Sequence, residues 1–489
     1  MTEKTQRKKF DVLIIGGGVV GTAVARSLAK LKLKTALVEK EVELAFGTTK
    51  ANSGIVHAGF HNEPGSLKAI LCVKGCDMFP QVCEELDVPF KENGVLMVAT
   101  SDRELPLLHK FYEQGIQNGV RDLELIDRDR VFELEPNLSR DIVTGLFAPH
   151  GGIVSPFELA IYQGVNAEKN GVEIFLDAAV ENVVDRGNYI EVATKKGTFE
   201  AALVVNCAGL FADDIAQMVG DTSFAIRPRK GEEYLLDKRV GNLVTSTIFP
   251  LPSENSKGIL VIPTAHGNLM IGPTALEMQE REDLSTTQEG LEVIYQSASK
   301  LVKGISRRDI IASFAGVRAA SDRGDFVIEF SKVAPRLLNV AGIESPGLTA
   351  APAIGEMVLE MIKDWCKDRG IPVEENHDFN PRLPKRVRLQ DIDDPRLEEM
   401  IAKDRRYAHA VCRCELVSEA EIVEAIQNGA RTLDGIKLRT RAGMGRCQGG
   451  FCTPKVLQIM ARELNVPITS ITKRGGDSVI APYKTKELI

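Results

Sequence analysis

The sequence predicts an α/β protein in several parts: a nucleotide-binding fold, a β-rich layer inserted into it, and a small, mostly helical C-terminal module. Three observations carry this reading. A glycine turn, Gly16-Gly17-Gly18-Val19-Val20-Gly21, joins an apolar run to a helix-like stretch near the N-terminus. A second strand–glycine–helix pattern ends near Trp365. Four of the nine cysteines fall between Cys412 and Cys452, as C-x-C, then 32 residues, then C-x4-C.

At 489 residues the chain is too long for one ordinary domain. It is 44% hydrophobic and 26% charged, as a globular protein should be. A net charge of -7 gives no electrostatic reason to expect nucleic acid. No apolar run reaches the roughly 18 residues of a membrane span, which leaves peripheral attachment through a partner open. The start, "RKKFDVLIIGGGVVGTAVA", imitates a secretory signal. Its glycine spacing and the acid that follows favour a strand and turn instead. The chain is then expected in the cytoplasm, where thiols stay reduced.

Phe10–Ile15 reads as a buried strand, Val19–Leu31 as a helix and Lys34–Glu39 as a second strand, a βαβ unit. Gly16 permits the tight turn, Gly18 lets the backbone approach a pyrophosphate, and Gly21 lets helix pack on strand. The helix start offers free N–H groups to the anion. Glu39 ends the second strand, where a carboxylate can bind ribose hydroxyls. "AALVVNCAGLFADD" is a strand ending at Ala208-Gly209, and "PRLLNVAGIESPGLTAAPAIGEMVLEMIKDW" repeats the pattern, with Gly347-Leu348-Thr349 opening the helix. Between them, 226–318 shows more strand-like alternation. The expected parts are 1–375 as the nucleotide-binding domain with 226–318 as a mainly β-rich cap, 376–405 as a linker, 406–465 as the cysteine module and 466–489 as a tail.

An N-terminal βαβ unit paired with a late strand–helix suggests FAD rather than NAD. "FGTTKANSGIVHAGFHNEPGSLKAILC", "VVNCAGLFADD", "GILVIPTAHGNLMIGPTA", "FAGVRA" and "NVAGIESPGLTAAPAIG" resemble the glycine/D-amino-acid-oxidase-like flavoenzymes. Within them the chain looks most like glycerol-3-phosphate and L-2-hydroxyglutarate dehydrogenases, over about residues 10–365. The resemblance implies a Rossmann-like FAD-binding fold. Gly16, Gly18, Gly21 and Glu39 would hold the AMP half of FAD. Thr48, Thr49, Asn52 and Ser53 would lie along the pyrophosphate and flavin, and Ala208 and Gly209 would pass close to the cofactor. Gly347, Leu348 and Thr349 would present N–H groups at a helix start to the flavin pyrimidine edge, favouring the anionic reduced form.

For Cys412, Cys414, Cys447 and Cys452 three readings compete. Zinc takes four ligands in a tetrahedron, usually from C-x2–4-C pairs, and C-x-C is tight for that. A disulfide is disfavoured by the compartment. A [2Fe–2S] cluster also takes four thiolates. "VCRC" and "RAGMGRCQGGFC" resemble the bacterioferritin-associated-ferredoxin-like [2Fe–2S] domain. That resemblance implies a cluster whose charge Lys437, Arg439, Arg441 and Arg446 could offset. The remaining cysteines read as core or surface residues.

Oxidising a secondary alcohol needs a hydride acceptor and a base for the hydroxyl proton. His57 in "GIVHAG" is the first choice for the base and His266 in "PTAHGN" the second; His61 and His150 are expected in loops or on the surface. Arg318 in "FAGVRA" matches a family arginine that meets substrate anions, with Arg229 and Lys230 as weaker candidates. The family arginine is often followed by proline, and here Ala319 follows. A guanidinium suits carboxylate and phosphate equally. The fused cluster domain favours glycerol 3-phosphate as substrate, with electrons leaving through [2Fe–2S] to a partner subunit or soluble carrier. "NSGIVHAG" favours L-2-hydroxyglutarate. A reading of another class is an electron-transfer subunit serving a multi-subunit dehydrogenase.

Overall fold

A computed structural model describes residues 7–251, 258–484 and 486. It divides into two compact units. One runs to Leu383 apart from Glu41–Leu44; the other holds Glu41–Leu44 and the chain from Pro384 onward.

The first unit is organised on a parallel sheet, in the order Glu173–Phe175, Thr35–Val38, Lys8–Ile15, Gly197–Asn206, Leu337–Ala341. Strands covered on both faces read as continuous apolar runs, and Leu13, Ile14, Leu37, Val204 and Leu338 are fully buried. Helix Val19–Leu28 ends three residues before the expected Leu31, because Lys30 and Leu31 donate to carbonyls three residues back and tighten the last turn. Helix Gly347–Lys367 packs tightly on two others. A Cβ at Gly355 would stand 2.8 Å from Ala23 O, and one at Gly75, in helix Leu67–Leu86, 2.0 Å from Thr349 O.

The β-rich layer is a second sheet. Ile226–Leu236 is its long strand, paired with Ile310–Ser321 on one side and with Leu269–Gly272 and Leu276–Glu277 on the other. The sheet does not stop at the stretch where alternation is visible. Thr247–Pro250 pairs in parallel with Val95–Ala99, and Thr144–Ala148 and Glu124–Asp127 follow. Val95–Ala99 hides from periodicity because both its faces are buried: Leu96 and Val98 join one apolar cluster, Val95, Met97 and Ala99 another.

The second unit is small and mostly helical, with helices Glu419–Gln427, Leu433–Thr440 and Thr453–Leu464 beside a hairpin of Ala410–Cys412 and Val417–Ser418. Ser418 and Glu421 form a capping box at the first helix. The stretch expected as a linker contains a helix, Asp394–Lys403, whose start is capped by Asp393 accepting from Arg396 N at 3.2 Å. The expected tail also contributes: Ile471 is buried in the unit's core, and Leu433 N donates to Thr472 O at 3.1 Å. Among the described residues no helix is long and apolar enough to cross a membrane.

Candidate active site

The glycine turn is shaped by backbone meeting backbone. A Cβ at Gly16 would stand 2.4 Å from Cys207 O, and one at Gly21 1.9 Å from Gly16 O. Gly16 also has φ of +109°, where a side chain is strained. A Cβ at Gly18 would meet only the Thr49 hydroxyl, at 3.3 Å. The result is a cradle that side chains would fill, at the N-terminus of helix Val19–Leu28. Val19 N donates to Thr49 Oγ1 at 3.0 Å, and Glu39 Oε2 accepts from Gly17 N at 2.5 Å. Bare backbone at a helix start with a carboxylate beside it fits the pyrophosphate and ribose of a dinucleotide. Cys207 N donates to Ile15 O at 2.9 Å, which brings Ala208 and Gly209 to the same end of the sheet; Gly209 has φ of +58° and open space where a Cβ would stand.

The segment after the turn is pinned under the cap sheet. Thr48 Oγ1 donates to Val317 O at 2.8 Å, and Asn52 Oδ1 accepts from Gly54 N at 2.8 Å. Ser53 donates to Glu233 of the cap. Gly347, Leu348 and Thr349 form the buried first turn of their helix. The Thr349 hydroxyl accepts from His57 N at 2.9 Å, tying that turn to the segment bearing His57.

His57 is half-buried. Its Nε2 lies 3.4 Å from Ser345 Oγ, and its ring stands edge-on to Phe249 at 5.7 Å. His61 lies in the turn just beyond, with ring centroid 5.1 Å from that of His57. Burial first, then the neighbouring His61, pushes the His57 imidazole down to about 3. It is therefore neutral at pH 7.

Arg318 stands opposite Arg229 in the cap sheet, and its Nη1 and Nη2 each reach Thr274 O only at 3.4 Å. Glu344 binds Lys68 at 2.9 Å and Arg229 at 3.4 Å. The next residue is Ser345, so one turn touches both the His57 ring and the cationic face of the cap. Lys230 points to the other face, bonded to Asp283 at 2.8 Å. His266 sits between Leu260–Pro263 and Leu269–Gly272, with Nε2 2.6 Å from Oε1 of the buried Glu158. Sequence reasoning did not single out Ser345, Phe249 or Glu233. Only the pair of acids in "KGEEY", inside an otherwise strand-like run, was a usable signal.

In the second unit the four cysteines form two pairs. Cys414 Sγ and Cys447 Sγ are 3.4 Å apart, near the surface. Cys412 and Cys452 are buried; the bond from Cys452 pushes the Cys412 thiol down to about 5, and the N–H groups of Gly443 and Glu415 add to the effect. Two thiolate pairs fit two irons. Gly443 and Gly449 take φ of +93° and +85° in the loop between them. Two of the expected counter-charges are engaged by carboxylates: Arg441 binds Glu415 and Arg439 binds Glu43, each at 2.8 Å and buried.

The geometry defines a dinucleotide-binding protein with a four-cysteine module. Residues 11–361 match the FAD dependent oxidoreductase family, and 410–462 match the BFD-like [2Fe-2S] binding domain. The chain belongs to the FAD dependent oxidoreductase family and carries a C-terminal [2Fe–2S] domain. It is similar to a glycerol 3-phosphate dehydrogenase of Caloramator mitchellensis, 47% identical over 98% of this chain and 99% of that protein. It is 34% identical to a mitochondrial L-2-hydroxyglutarate dehydrogenase of Caenorhabditis elegans, over 72% of this chain and 92% of the relative. Among solved structures it resembles dithionite-reduced L-alpha-glycerophosphate oxidase from Mycoplasma pneumoniae with FAD bound. There the TM-score is 0.72 and identity 28%, over 77% of this chain and 99% of the other.

Proposed function

We propose that this protein oxidises the secondary alcohol of glycerol 3-phosphate to dihydroxyacetone phosphate and passes the electrons through its [2Fe–2S] cluster to a partner subunit or soluble carrier. One observation carries the choice of substrate. The relative named glycerol 3-phosphate dehydrogenase is similar across 98% of the chain, cysteine module included, whereas the hydroxyglutarate dehydrogenase covers 72%.

Bound FAD supplies the two-electron acceptor for the hydride that leaves the carbinol carbon. His57, neutral at working pH, takes the hydroxyl proton at Nε2, the nitrogen facing Ser345. Arg318 binds the phosphate; its weak bonds to Thr274 O are readily exchanged for a dianion. The first-turn N–H groups of Gly347–Thr349 favour negative charge on the reduced cofactor. Cys412, Cys414, Cys447 and Cys452 would hold the [2Fe–2S] cluster, which would supply one-electron transfer.

The test is anaerobic mixing of purified protein with each substrate while flavin absorbance is followed. Glycerol 3-phosphate alone should bleach it. Bleaching by L-2-hydroxyglutarate alone would transfer the assignment to the hydroxy acid, and bleaching by neither would leave the electron-transfer-subunit reading.

A further inference from the structure

The cap strand Ile226–Leu236 carries adjacent glutamates with opposite surroundings. Neighbours on a strand point to opposite faces. Glu232, 3% exposed, is bonded through both oxygens, accepting from Thr287 Oγ1 at 3.0 Å and Thr287 N at 3.1 Å. Glu233 is equally buried at 3%, and its Oε1 is held by the Ser53 hydroxyl. Its Oε2 is buried with no hydrogen-bond partner among the described residues.

That oxygen lies on a particular face. The antiparallel register sets Glu233 opposite Phe314, Gly231 opposite Gly316 and Arg229 opposite Arg318, so these side chains share one side of the sheet. The side rests on the flavin-binding turn: a Cβ at Gly316 would stand 2.6 Å from Ala51 O. A Cβ at Gly231 would stand 2.8 Å from Arg318 Nη2, so the guanidinium lies over Gly231, next to Glu233. Burial pushes the Glu233 carboxyl up to about 7; the Ser53 hydroxyl and the Arg318 charge only partly oppose this. A carboxylate oxygen left unpaired in such a place is costly unless a ligand completes it.

We propose that Glu233 is a specificity-determining residue of the substrate site, whose Oε2 accepts a hydrogen bond from the primary hydroxyl of a polyol phosphate. The inference rests on the proposed substrate. In glycerol 3-phosphate the carbon next to the reacting alcohol bears a hydroxyl, which donates. In a 2-hydroxy acid the same position bears a carboxylate, which has no proton to donate and which Glu233 repels once it is ionised, above about pH 7. Arg318 accepts either anion; Glu233 is the group that tells the two substrates apart.

The experiment compares wild type with Glu233→Gln, both as full-length holoprotein, on two substrates. One is glycerol 3-phosphate. The other is 2-hydroxypropyl phosphate, which keeps the phosphate and secondary alcohol and lacks the primary hydroxyl. Wild type should prefer glycerol 3-phosphate, and E233Q should lower kcat/KM for it about 10- to 100-fold. With 2-hydroxypropyl phosphate the variant should change little, and relative activity on L-2-hydroxyglutarate should rise. An equal loss on both phosphates, or no loss on either, overturns the assignment. If E233Q fails to retain FAD, wild type alone decides: equal kcat/KM for the two phosphates overturns it. A wild-type flavin that glycerol 3-phosphate never bleaches refutes the substrate reading itself, a separate outcome.

Discussion

At the nucleotide end of the flavin unit the backbone closes on itself; at the proposed substrate end, side chains from distant parts of the chain are brought together by a sheet. The first end is made from Gly16 to Thr49, and at Gly16 and Gly21 it tolerates no added atom. The second is assembled from Ser53, His57, Glu233, Arg318 and Ser345, and keeps a buried acceptor unmet among the described residues. A constant ligand can be met by rigid backbone, whereas a substrate must be chosen by charges and hydrogen bonds that it completes.

The comparison breaks most severely at Gly21. Gly21→Ala drives a methyl into Gly16 O, a backbone atom that cannot turn aside. The expected cost is about 4 kcal/mol or more, seen as loss of bound FAD per chain and a collapsed melting transition. Changes at the substrate end should leave FAD bound. Arg318→Lys keeps the charge and loses the fork, and kcat/KM for glycerol 3-phosphate should fall about 10- to 100-fold with flavin content unchanged.

The unmet oxygen should also register in stability. Glu233 holds its proton when folded up to about pH 7, against an ordinary value of 4.5. The folded state therefore binds more protons than the unfolded state between these limits, and stability falls as pH rises through that window. E233Q, uncharged throughout, should gain on wild type from pH 5 to pH 8, by on the order of 2 °C in Tm. A gap that does not widen would show that the site is already satisfied.

The smallest effect belongs at the surface. His150 lies 2.8 Å from Asp122 and is also bonded to Glu92, and these two carboxylates raise its pKa above 6.5. Its stabilisation is complete below the ordinary value and lost as pH rises through the raised one. His150→Gln should cost less than about 1 kcal/mol at pH 6 and nothing at pH 9, read from paired melting curves.

Legibility follows the same divide. The βαβ unit could be read directly because its turn, helix start and acid are close in sequence and each has a local cause. The four cysteines could be read for the same reason. Helix Asp394–Lys403 was hidden among charges and prolines, although its Asp393 cap is a local signal. Strand Val95–Ala99 was hidden because burial on both faces removes alternation.

By itself the sequence determined the nucleotide fold, the β-rich layer, the FAD fingerprint and the cysteine module, since backbone geometry and ligand spacing are short-range properties. The tertiary structure alone decided that Ser345 meets His57, that Lys230 turns away from Arg318, and that, among the described residues, one glutamate of an adjacent pair is satisfied while the other is not. Those outcomes depend on strand register and on which face a side chain takes. Register is set by pairing between segments as far apart as Arg229 and Arg318, which no local window of sequence contains.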